Sequence, residues 1–459
     1  MKETHMKLTR IPSMRLIPLS FLVAILVGSL LLILPISSAD GNWTDFVTAL
    51  FTATTSVCVT GLTVVDTFSY WSTFGHVVIL FLIQIGGFGI ITVISMIMLL
   101  TQRKFSLGDR KMLQDSLNLD TEAGILKILS RIFKGTLSVE LLGALMYSIV
   151  FIPEFGPVKG AWISIFNAIS AFCNAGIDII GPNSLKPYSS NPYVLFVTML
   201  LIVLGGLGYV VWFDLAHVIK KGVKSRFTPV QIFKRFSEHT KLVLAMTFAL
   251  IAIGWLVFFI AEYDNPLTLK NMSIPDKIFN SLFESITLRT AGFASFSQAG
   301  ITDLSCVIAY ILMFIGGSPV GTAGGIKTVT FFLALMGIIT YIRSEDSNIL
   351  FGRRVSGESM RKSSVIVYVS MFSVITFTLL LNATNPVTLQ DALFEVISSL
   401  ATVGLSMDLT SNLNTIGRLI IIVCMYLGRI GPISMAIFFA GRIRQKNNQH
   451  YLEGKFFVG

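Results

Sequence analysis

The hydrophobic positions of this chain fall into eight long runs that carry few or no charges. Most of the runs are close to the roughly 20 residues with which an α-helix crosses a bilayer. They are Leu16–Ile36, Trp71–Leu100, Leu137–Ile152, Val194–Val218, Leu242–Ala261, Val307–Ile342, Val365–Leu381 and Leu419–Phe439. Because their number is even, both chain ends are predicted on the same side of the membrane. The sixth run is far longer than one crossing needs, so we expect it to be bent or broken.

Shorter apolar stretches of about a dozen residues lie between the two runs of each successive pair, and they are too short to cross a bilayer. Each stretch contains a Phe that is followed nine or ten residues later by a Gly. These pairs are Phe51 and Gly61, Phe166 and Gly176, Phe283 and Gly292, and Phe394 and Gly404. The glycines are 115, 116 and 112 residues apart, which indicates a four-fold internal repeat.

The repeat predicts an all-α polytopic membrane protein. Its four membrane–pore–membrane repeats would supply eight transmembrane helices and four re-entrant pore helices around a pseudo-four-fold pore, since re-entrant backbone survives at membrane depth only where it is buried or lines water. The predicted segments are a cytoplasmic N-terminus (1–15), repeat 1 (16–102), a cytoplasmic loop (103–134), repeat 2 (135–219), a cytoplasmic loop (220–241), repeat 3 (242–342), a cytoplasmic loop (343–363), repeat 4 (364–440) and a cytoplasmic tail (441–459).

Composition and charge support this assignment. Of the 459 residues, 53% are hydrophobic and 13% charged, against about 25% charged in soluble domains, which argues against a cytosolic enzyme. The net charge is +10, but 27 of the 35 basic residues lie on one face of the predicted topology, in the two chain ends and alternate loops. The positive-inside rule makes this face cytoplasmic. The basic excess therefore orients the chain and does not indicate a nucleic-acid partner.

The repeated glycines point to a pore lined by main-chain carbonyls. Rings of carbonyl oxygens replace the hydration shell of K⁺ in potassium channels, on TVGYG loops, and the stretch 402–405 (Thr-Val-Gly-Leu) is the nearest match here. The alternative is that glycines serve helix packing, as is common in membrane helices. Packing explains Gly86, Gly87, Gly205 and Gly206 well, but it does not explain four glycines at matched positions after four non-spanning helices.

Two departures from the repeat stand out. The sixth run is interrupted at 316–328 by glycines, alanine and a proline, which disfavour helix, so this stretch must be buried or line a cavity. Arg429 takes the place held by Gly87, Gly206 and Gly317 in the other units. A charge in the middle of a span usually faces a cavity or a partner. A plain kink and an arginine bonded to helix-end carbonyls are the structural alternatives.

Over its whole length the chain resembles the Trk/Ktr/HKT superfamily of K⁺ transporters, and its short N-terminus is similar to the bacterial Ktr branch. The resemblance implies a selectivity filter, with K⁺ there as the only metal. The implied filter residues are Val59, Thr60, Gly61, Asn174, Ala175, Gly176, Thr290, Ala291, Gly292, Thr402, Val403 and Gly404. It also implies an intramembrane gate. The implied gating residues are Gly316, Gly317, Ser318, Gly321, Thr322, Ala323, Gly324, Gly325, Lys327 and Arg429.

The resemblance further implies gated K⁺ uptake by a homodimer in the bacterial cell membrane, with Na⁺ as an activating or coupled ion. Since all four filter positions are glycine, whereas Na⁺-preferring plant relatives carry serine in the first unit, K⁺ is favoured. No cofactor is expected in this chain. Adenine nucleotide is expected only on a partner, a cytoplasmic regulatory ring of the RCK type. The basic loops 103–134 and 220–241 could dock this ring or merely orient the helices.

Several charged residues have open roles. Asp66, Asp178 and Asp408 follow three of the repeated glycines and either gather cations at the mouth of the pore or are solvated loop acids. Glu140 is expected to extend to the cytoplasmic interface. Arg289 is expected to brace the third filter strand from behind.

Two other functions are the alternatives. A secondary transporter for another cation or solute would use broken helices near the midplane, but many such folds have inverted repeats, whereas these four units all enter from the same side. A membrane enzyme lacks support, because the sequence shows no Ser/His/Asp set and its five histidines form no ligand cluster.

Overall fold

The computed structural model describes residues 13–89, 92, 95, 125–344 and 348–431. Most of the predicted segments 1–15 and 103–134, and the whole of the tail 441–459, lie outside these residues. The helices are α1 (Ser13–Ile33), α2 (Phe46–Cys58), α3 (Thr67–Tyr70), α4 (Thr73–Phe88), α5 (Ile125–Phe155), α6 (Pro157–Cys173), α7 (Pro192–Leu207), α8 (Tyr209–Lys224), α9 (Pro229–Lys234), α10 (Glu238–Ala261), α11 (Ile274–Thr287), α12 (Asp303–Phe314), α13 (Thr328–Ile342), α14 (Gly357–Thr384), α15 (Leu389–Leu400) and α16 (Thr415–Ile430).

The structure is mostly helical, as predicted. Single 3₁₀ turns occur at Pro35–Ser37, Lys186–Tyr188, Gln298–Gly300 and Thr410–Asn412. Within the described residues the departure from an all-α fold is a short antiparallel hairpin of β1 (Ile349–Leu350) and β2 (Arg353–Arg354). Its Arg353 forms an ion pair of 3.0 Å with Glu238 at the start of α10.

Long apolar helices form the outside of the molecule. Among the described residues, three are long and apolar enough to cross a membrane: Ile128–Phe155 within α5, α10 and α14. The bent pair α7 and α8 is a fourth candidate, while α1, α4, α12 and α13 are apolar but shorter. Phe248 and Phe372, on two of the long helices, are each more than 70% exposed. Such exposed apolar faces are those of a protein that meets lipid.

Four short helices, α2, α6, α11 and α15, lie inside this shell, and we call them the pore helices. Each contains one of the repeated phenylalanines, and all four of these rings are fully buried. Side-chain oxygens of Asp45, Ser273 and Thr388 cap the first turns of α2, α11 and α15, and Pro157 begins α6. Buried helices with capped N-termini satisfy the backbone donors that would otherwise be unpaired inside the protein.

The apolar helix that completes each unit ends at a matched position. Gly89, Gly208 and Gly431 terminate α4, α7 and α16 with φ of 80–89° and ψ of 134–143°. This left-handed conformation is open to glycine and costly for other residues. In the third unit, residues 315–327 separate α12 from α13. The predicted break in the sixth hydrophobic run is therefore confirmed.

Candidate functional site

The four predicted filter strands share one backbone conformation. The residue two positions before each repeated glycine has a positive φ, at Val59 (55°), Asn174 (59°), Thr290 (71°) and Thr402 (52°). The glycines themselves have φ of 64–104°, and the residue between is not left-handed. For a β-branched residue a positive φ costs about 1–3 kcal/mol. Such cost is typical of functional sites, and it is repeated here at Val59, Thr290 and Thr402, whereas Asn174 is of a residue type that adopts this conformation more readily.

The four glycines close into a ring. A Cβ built on Gly61 would lie 2.7 Å from the carbonyl oxygen of Ala175, and one built on Gly176 would lie 2.5 Å from that of Ala291. The same construction puts Gly292 2.5 Å from the oxygen of Val403, and Gly404 2.0 Å from that of Thr60. Each glycine thus abuts the carbonyl that precedes the next glycine. Because a side chain has no room at these contacts, the close approach of the four strands requires glycine.

A hydroxyl group from each pore helix holds its own filter strand. The amides of Gly61, Ile177 and Gly404 donate to Thr55 Oγ1, Ser170 Oγ and Ser398 Oγ at 2.9, 3.2 and 3.1 Å. In the third unit Thr287 Oγ1 donates to the Phe293 carbonyl at 2.7 Å.

These four hydroxyls were missed by the sequence interpretation. Each stands four residues after its repeated Phe, at Thr55, Ser170, Thr287 and Ser398, so the aligned repeats did carry the signal.

A cavity of about 160 Å³ opens on one side of the glycine ring, and we call it the vestibule. All four repeated glycines line it, together with Asp66, Asp178, Asp408 and Lys186. The Asp66 carboxylate has a structural role besides, since it caps α3 by accepting from the amides of Phe68 and Ser69.

The stretch 316–328 lies against the other side of the ring. A Cβ built on Gly324 would overlap Thr402 Oγ1 and lie 2.9 Å from the Ala401 carbonyl oxygen. Thr322 Oγ1 donates at 3.1 Å to the carbonyl of Phe172, near the end of the second pore helix. The stretch therefore contacts the ends of pore helices from two different units, directly below the filter strands.

Backbone hydrogen bonds hold this stretch along its length and at its two ends, which meet in what we call the neck. The amide of Gly316 donates to Ile326 O at 2.9 Å, and the amide of Ile326 donates to Phe314 O at 3.3 Å, which closes the segment into a loop. Backbone bonds also join it to the break between α7 and α8. They are Ser318 N to Gly206 O (3.0 Å), Thr322 N to Gly205 O (3.2 Å) and Tyr209 N to Val320 O (3.0 Å).

Three cationic side chains bind carbonyls of the same loop. Arg429 Nη1 donates to Thr322 O at 2.6 Å, and its Nη2 donates to Gly86 O near the end of α4. Arg429 thus satisfies both interpretations, a partner of the loop and an arginine on a helix-end carbonyl. Lys327 turns back onto Ala323 O and Gly324 O. Arg289 Nη2 donates to Gly316 O at 3.4 Å, so it joins the third filter strand to the start of the loop.

The other glycines of the repeated element pack against the pore helices. Cβ atoms built on Gly86, Gly205 and Gly428 would lie 2.0–2.1 Å from carbonyl oxygens of the first, second and fourth pore helices. The packing role is therefore confirmed for Gly86 and Gly205. The Gly206 site is roomier, with its nearest neighbour at 3.6 Å.

The expectation for Glu140 was wrong. Its side chain is only 4% exposed and accepts hydrogen bonds from Gln84 Nε2 at 3.1 and 3.0 Å. The carboxylate faces another helix, α4, whose Gln84 amide supplies the hydrogen bonds that a buried polar group needs.

Comparison with known proteins places this geometry in a family. The model of the TrkH family of cation transport proteins matches residues 17–451. The chain belongs to this family.

Members with similar sequences are potassium uptake proteins. The Ktr system potassium uptake protein B of Bacillus subtilis is 38% identical over 459 residues, covering 100% of this chain and 99% of the relative. The potassium/sodium uptake protein NtpJ of Enterococcus hirae is 35% identical over 98% of each chain. These matches confirm the resemblance to the Trk/Ktr proteins and, with it, the predicted character of a transmembrane potassium-transport protein.

A solved structure of a TrkH protein has the same fold as this chain. The crystal structure of the potassium transporter TrkH from Vibrio parahaemolyticus superimposes with a TM-score of 0.74, over 95% of this chain and 86% of that one. At 18% identity this match shows the fold alone. Together with the apolar outer helices, membership of the TrkH family makes the chain a membrane protein of a cation transporter family.

Proposed function

We propose that this protein takes up K⁺ through a pore whose selectivity filter is the ring of the four repeated glycines. The observation that carries the proposal is the closed ring, in which each glycine abuts the carbonyl before the next. The carbonyls of Thr60, Ala175, Ala291 and Val403 meet there. Carbonyl oxygens in such a ring replace the water that a cation sheds on entry.

The pore helices add to the electrostatics of the ring. Each of the four runs directly into its filter strand, so four helix C-termini converge on the centre. A helix C-terminus carries about half a negative charge. Their summed field favours a cation in the space between the filter and the loop at 316–328, and it disfavours an anion.

The topology that we propose has eight crossings and four re-entrant pore helices, arranged in the four repeats set out above. The protein sits in a bacterial cell membrane with both termini cytoplasmic and the vestibule outside. The distribution of basic residues supports this orientation, and the acidic residues of the vestibule agree with it.

We propose that the loop at 316–328 is the gate and that Arg429, Lys327 and Arg289 hold it closed. The loop lies below the filter, and all three cations bind its carbonyls. A cation next to the ion path also raises the barrier to conduction. The short neck at Ile315 and Ile326 lets the loop move while the ends of α12 and α13 stay in place.

Finer features of the proposal follow the Ktr relatives. The name of the relative from Bacillus subtilis refers to a Ktr system, which supports a complex of several components. We propose a homodimer with one pore in each protomer and a cytoplasmic regulatory ring that binds adenine nucleotide. The name of NtpJ refers to potassium and sodium, which supports an influence of Na⁺ on uptake.

The proposed function is tested by ion uptake in a host that lacks its own K⁺ transporters. We expect the chain, expressed with a regulatory partner of the Ktr type, to restore growth at low K⁺ and to take up K⁺ and Rb⁺ in preference to Na⁺. Cells with empty vector are the control. Uptake of Na⁺ or of an organic solute in preference to K⁺ would favour the secondary transporter instead.

Acidification of the outer medium should weaken uptake at low K⁺. Burial raises the pKa of Asp178 in the vestibule to about 6, so this carboxyl gains a proton as the outer pH falls through that value. The vestibule then loses one negative charge, and we expect the KM for K⁺ to rise about threefold.

The variant Asp178→Asn should have the raised KM at neutral pH and no further change on acidification. Asp264→Asn removes an exposed carboxylate that is not among the residues lining the vestibule, and it serves as the control. A pH response in Asp178→Asn equal to that of the parent protein would exclude this carboxyl as its origin.

A further inference from the structure

The segment from α8 to α9 departs from the direction of the membrane helix before it. At Gly208 the chain turns, and the axes of α7 and α8 differ by 98°. Asp214 in the middle of α8 accepts hydrogen bonds from the amide and hydroxyl of Ser237, both at 2.9 Å. Ser237 caps the N-terminus of α10, a candidate membrane span. The second half of α8 therefore lies at the level where that span begins.

Helix α8 has three distinct faces at this level. Val211, Val218 and Gly222 form one buried face. Ile219 and Val223, one turn apart, form a second face that is apolar yet 45% and 71% exposed. A third face presents exposed lysines, at Lys220, Lys221 and Lys224. A helix with a basic face beside an exposed apolar stripe is typical of those that lie in the membrane interface.

The short helix α9 continues both properties. Val230 and Phe233 are 65% and 47% exposed, and Lys234 and Arg235 follow at once. Between Leu215 and Ser237 the chain contains six basic residues and no acidic one. Basic clusters of this size beside a membrane helix are suited to anionic lipid headgroups.

We propose that residues 216–235 form an interfacial element that binds anionic phospholipid of the cytoplasmic leaflet. Ile219, Val223 and Phe233 enter the acyl boundary, while the lysines of α8 contact the lipid phosphates. This inference rests on the proposed cytoplasmic orientation and is independent of the transported ion. Because α8 continues directly from the break at Gly208, which is bonded to the loop at 316–328, lipid bound here is placed to influence that loop.

Binding of anionic lipid is tested by native mass spectrometry. The purified full-length protein is extracted from an equimolar mixture of phosphatidylglycerol and phosphatidylcholine, and the lipid that it retains is measured. One variant neutralises the three lysines of α8, and a control neutralises three exposed basic residues of the hairpin and α14. These are K220Q/K221Q/K224Q and R354Q/R361Q/K362Q. We expect the α8 variant to retain about tenfold less phosphatidylglycerol relative to phosphatidylcholine than the parent protein does, and the control to match the parent.

The position of the apolar stripe is tested separately by a spin label at V223C in lipid nanodiscs. In the described chain all four native cysteines are buried, so the label is expected to react at the new site. Collision with dissolved oxygen rather than with a water-soluble nickel complex would support the proposal.

Accessibility of the label to nickel, or equal phosphatidylglycerol retention by both triple variants, would overturn the proposal. So would a loss in the α8 variant of regulatory-ring binding alone, because the surface would then serve a protein. Absence of K⁺ uptake would refute the proposed function without changing these lipid measurements.

Discussion

Gly404→Ser should lower K⁺ uptake by at least about tenfold and weaken the discrimination against Na⁺. The added Cβ would lie 2.0 Å from the Thr60 carbonyl oxygen and 2.8 Å from the Gly61 Cα, in a residue whose φ is +95°. The ring must widen or twist to admit the side chain, so the carbonyls no longer match the K⁺ radius. Uptake of K⁺, Rb⁺ and Na⁺ in a transport-deficient host measures both effects.

The control for this prediction is Gly357→Ser. Gly357 is exposed at the start of α14, and a Cβ there meets no atom within 4 Å. We expect normal uptake from this variant. Size-exclusion chromatography of both proteins shows whether they are assembled. A correctly assembled Gly404→Ser protein with the parent K⁺ to Na⁺ ratio would rule out the proposed filter.

Removal of residues 320–324 should have the opposite effect and raise the flux. The deletion removes Thr322, which binds both the second pore helix and Arg429, and it removes the Gly324 backbone below Thr402. The hydrogen bonds of the neck at Gly316 and Ile326 involve residues that remain. We expect a gain of several fold in K⁺ flux into proteoliposomes. An unchanged or lower flux in assembled protein would contradict the gating role.

Arg429→Ala should act through the same element. On its own it should raise flux by about fivefold, because it removes a charge near the ion path and one anchor of the loop. In the protein that lacks 320–324 its effect should be much smaller, since residues that share a contact are not additive. Arg418→Ala, at the other end of α16, is the matched control because, within the described residues, Arg418 donates to Leu413 O and Ser411 O and not to the loop. If the effects of Arg429→Ala and of the deletion on flux were fully additive, Arg429 would not act through the loop.

Much of the fold was predictable because the residues that recur in the four units meet strict physical requirements. A fully buried Phe and a glycine with positive φ tolerate few replacements, so the pairs at Phe51 and Gly61 or Phe394 and Gly404 remain visible after the units have diverged. Long runs without charge then locate the outer helices. The break before Thr328 was predictable for a similar reason, since a run of glycines with a proline cannot continue a helix.

Other parts of the site could not be found in this way. Thr55 and Ser398 occupy matched positions four residues after the repeated Phe, but because Thr and Ser interchange there, residue identity alone does not mark these positions as part of the repeat. The partners of Arg289 and Arg429 lie 27 and 107 residues away in the chain, and no local pattern predicts such contacts. Glu140 was misplaced because hydropathy gives the depth of a residue but not the direction in which its side chain points.

The loop below the filter also supplies the missing hydrogen bonds at the break between α7 and α8. The carbonyls of Gly205 and Gly206 and the amide of Tyr209 are bonded to loop residues, and buried backbone groups rarely remain unpaired. Under the proposed gating, water would have to take the place of the loop on these groups when it withdraws. Opening would then be a hydration reaction as well as a movement. A solute too large to enter the space that the loop leaves would oppose this opening by drawing water out of that space, so the proposal makes the osmotic state of the cytoplasm one of the terms that set the open probability.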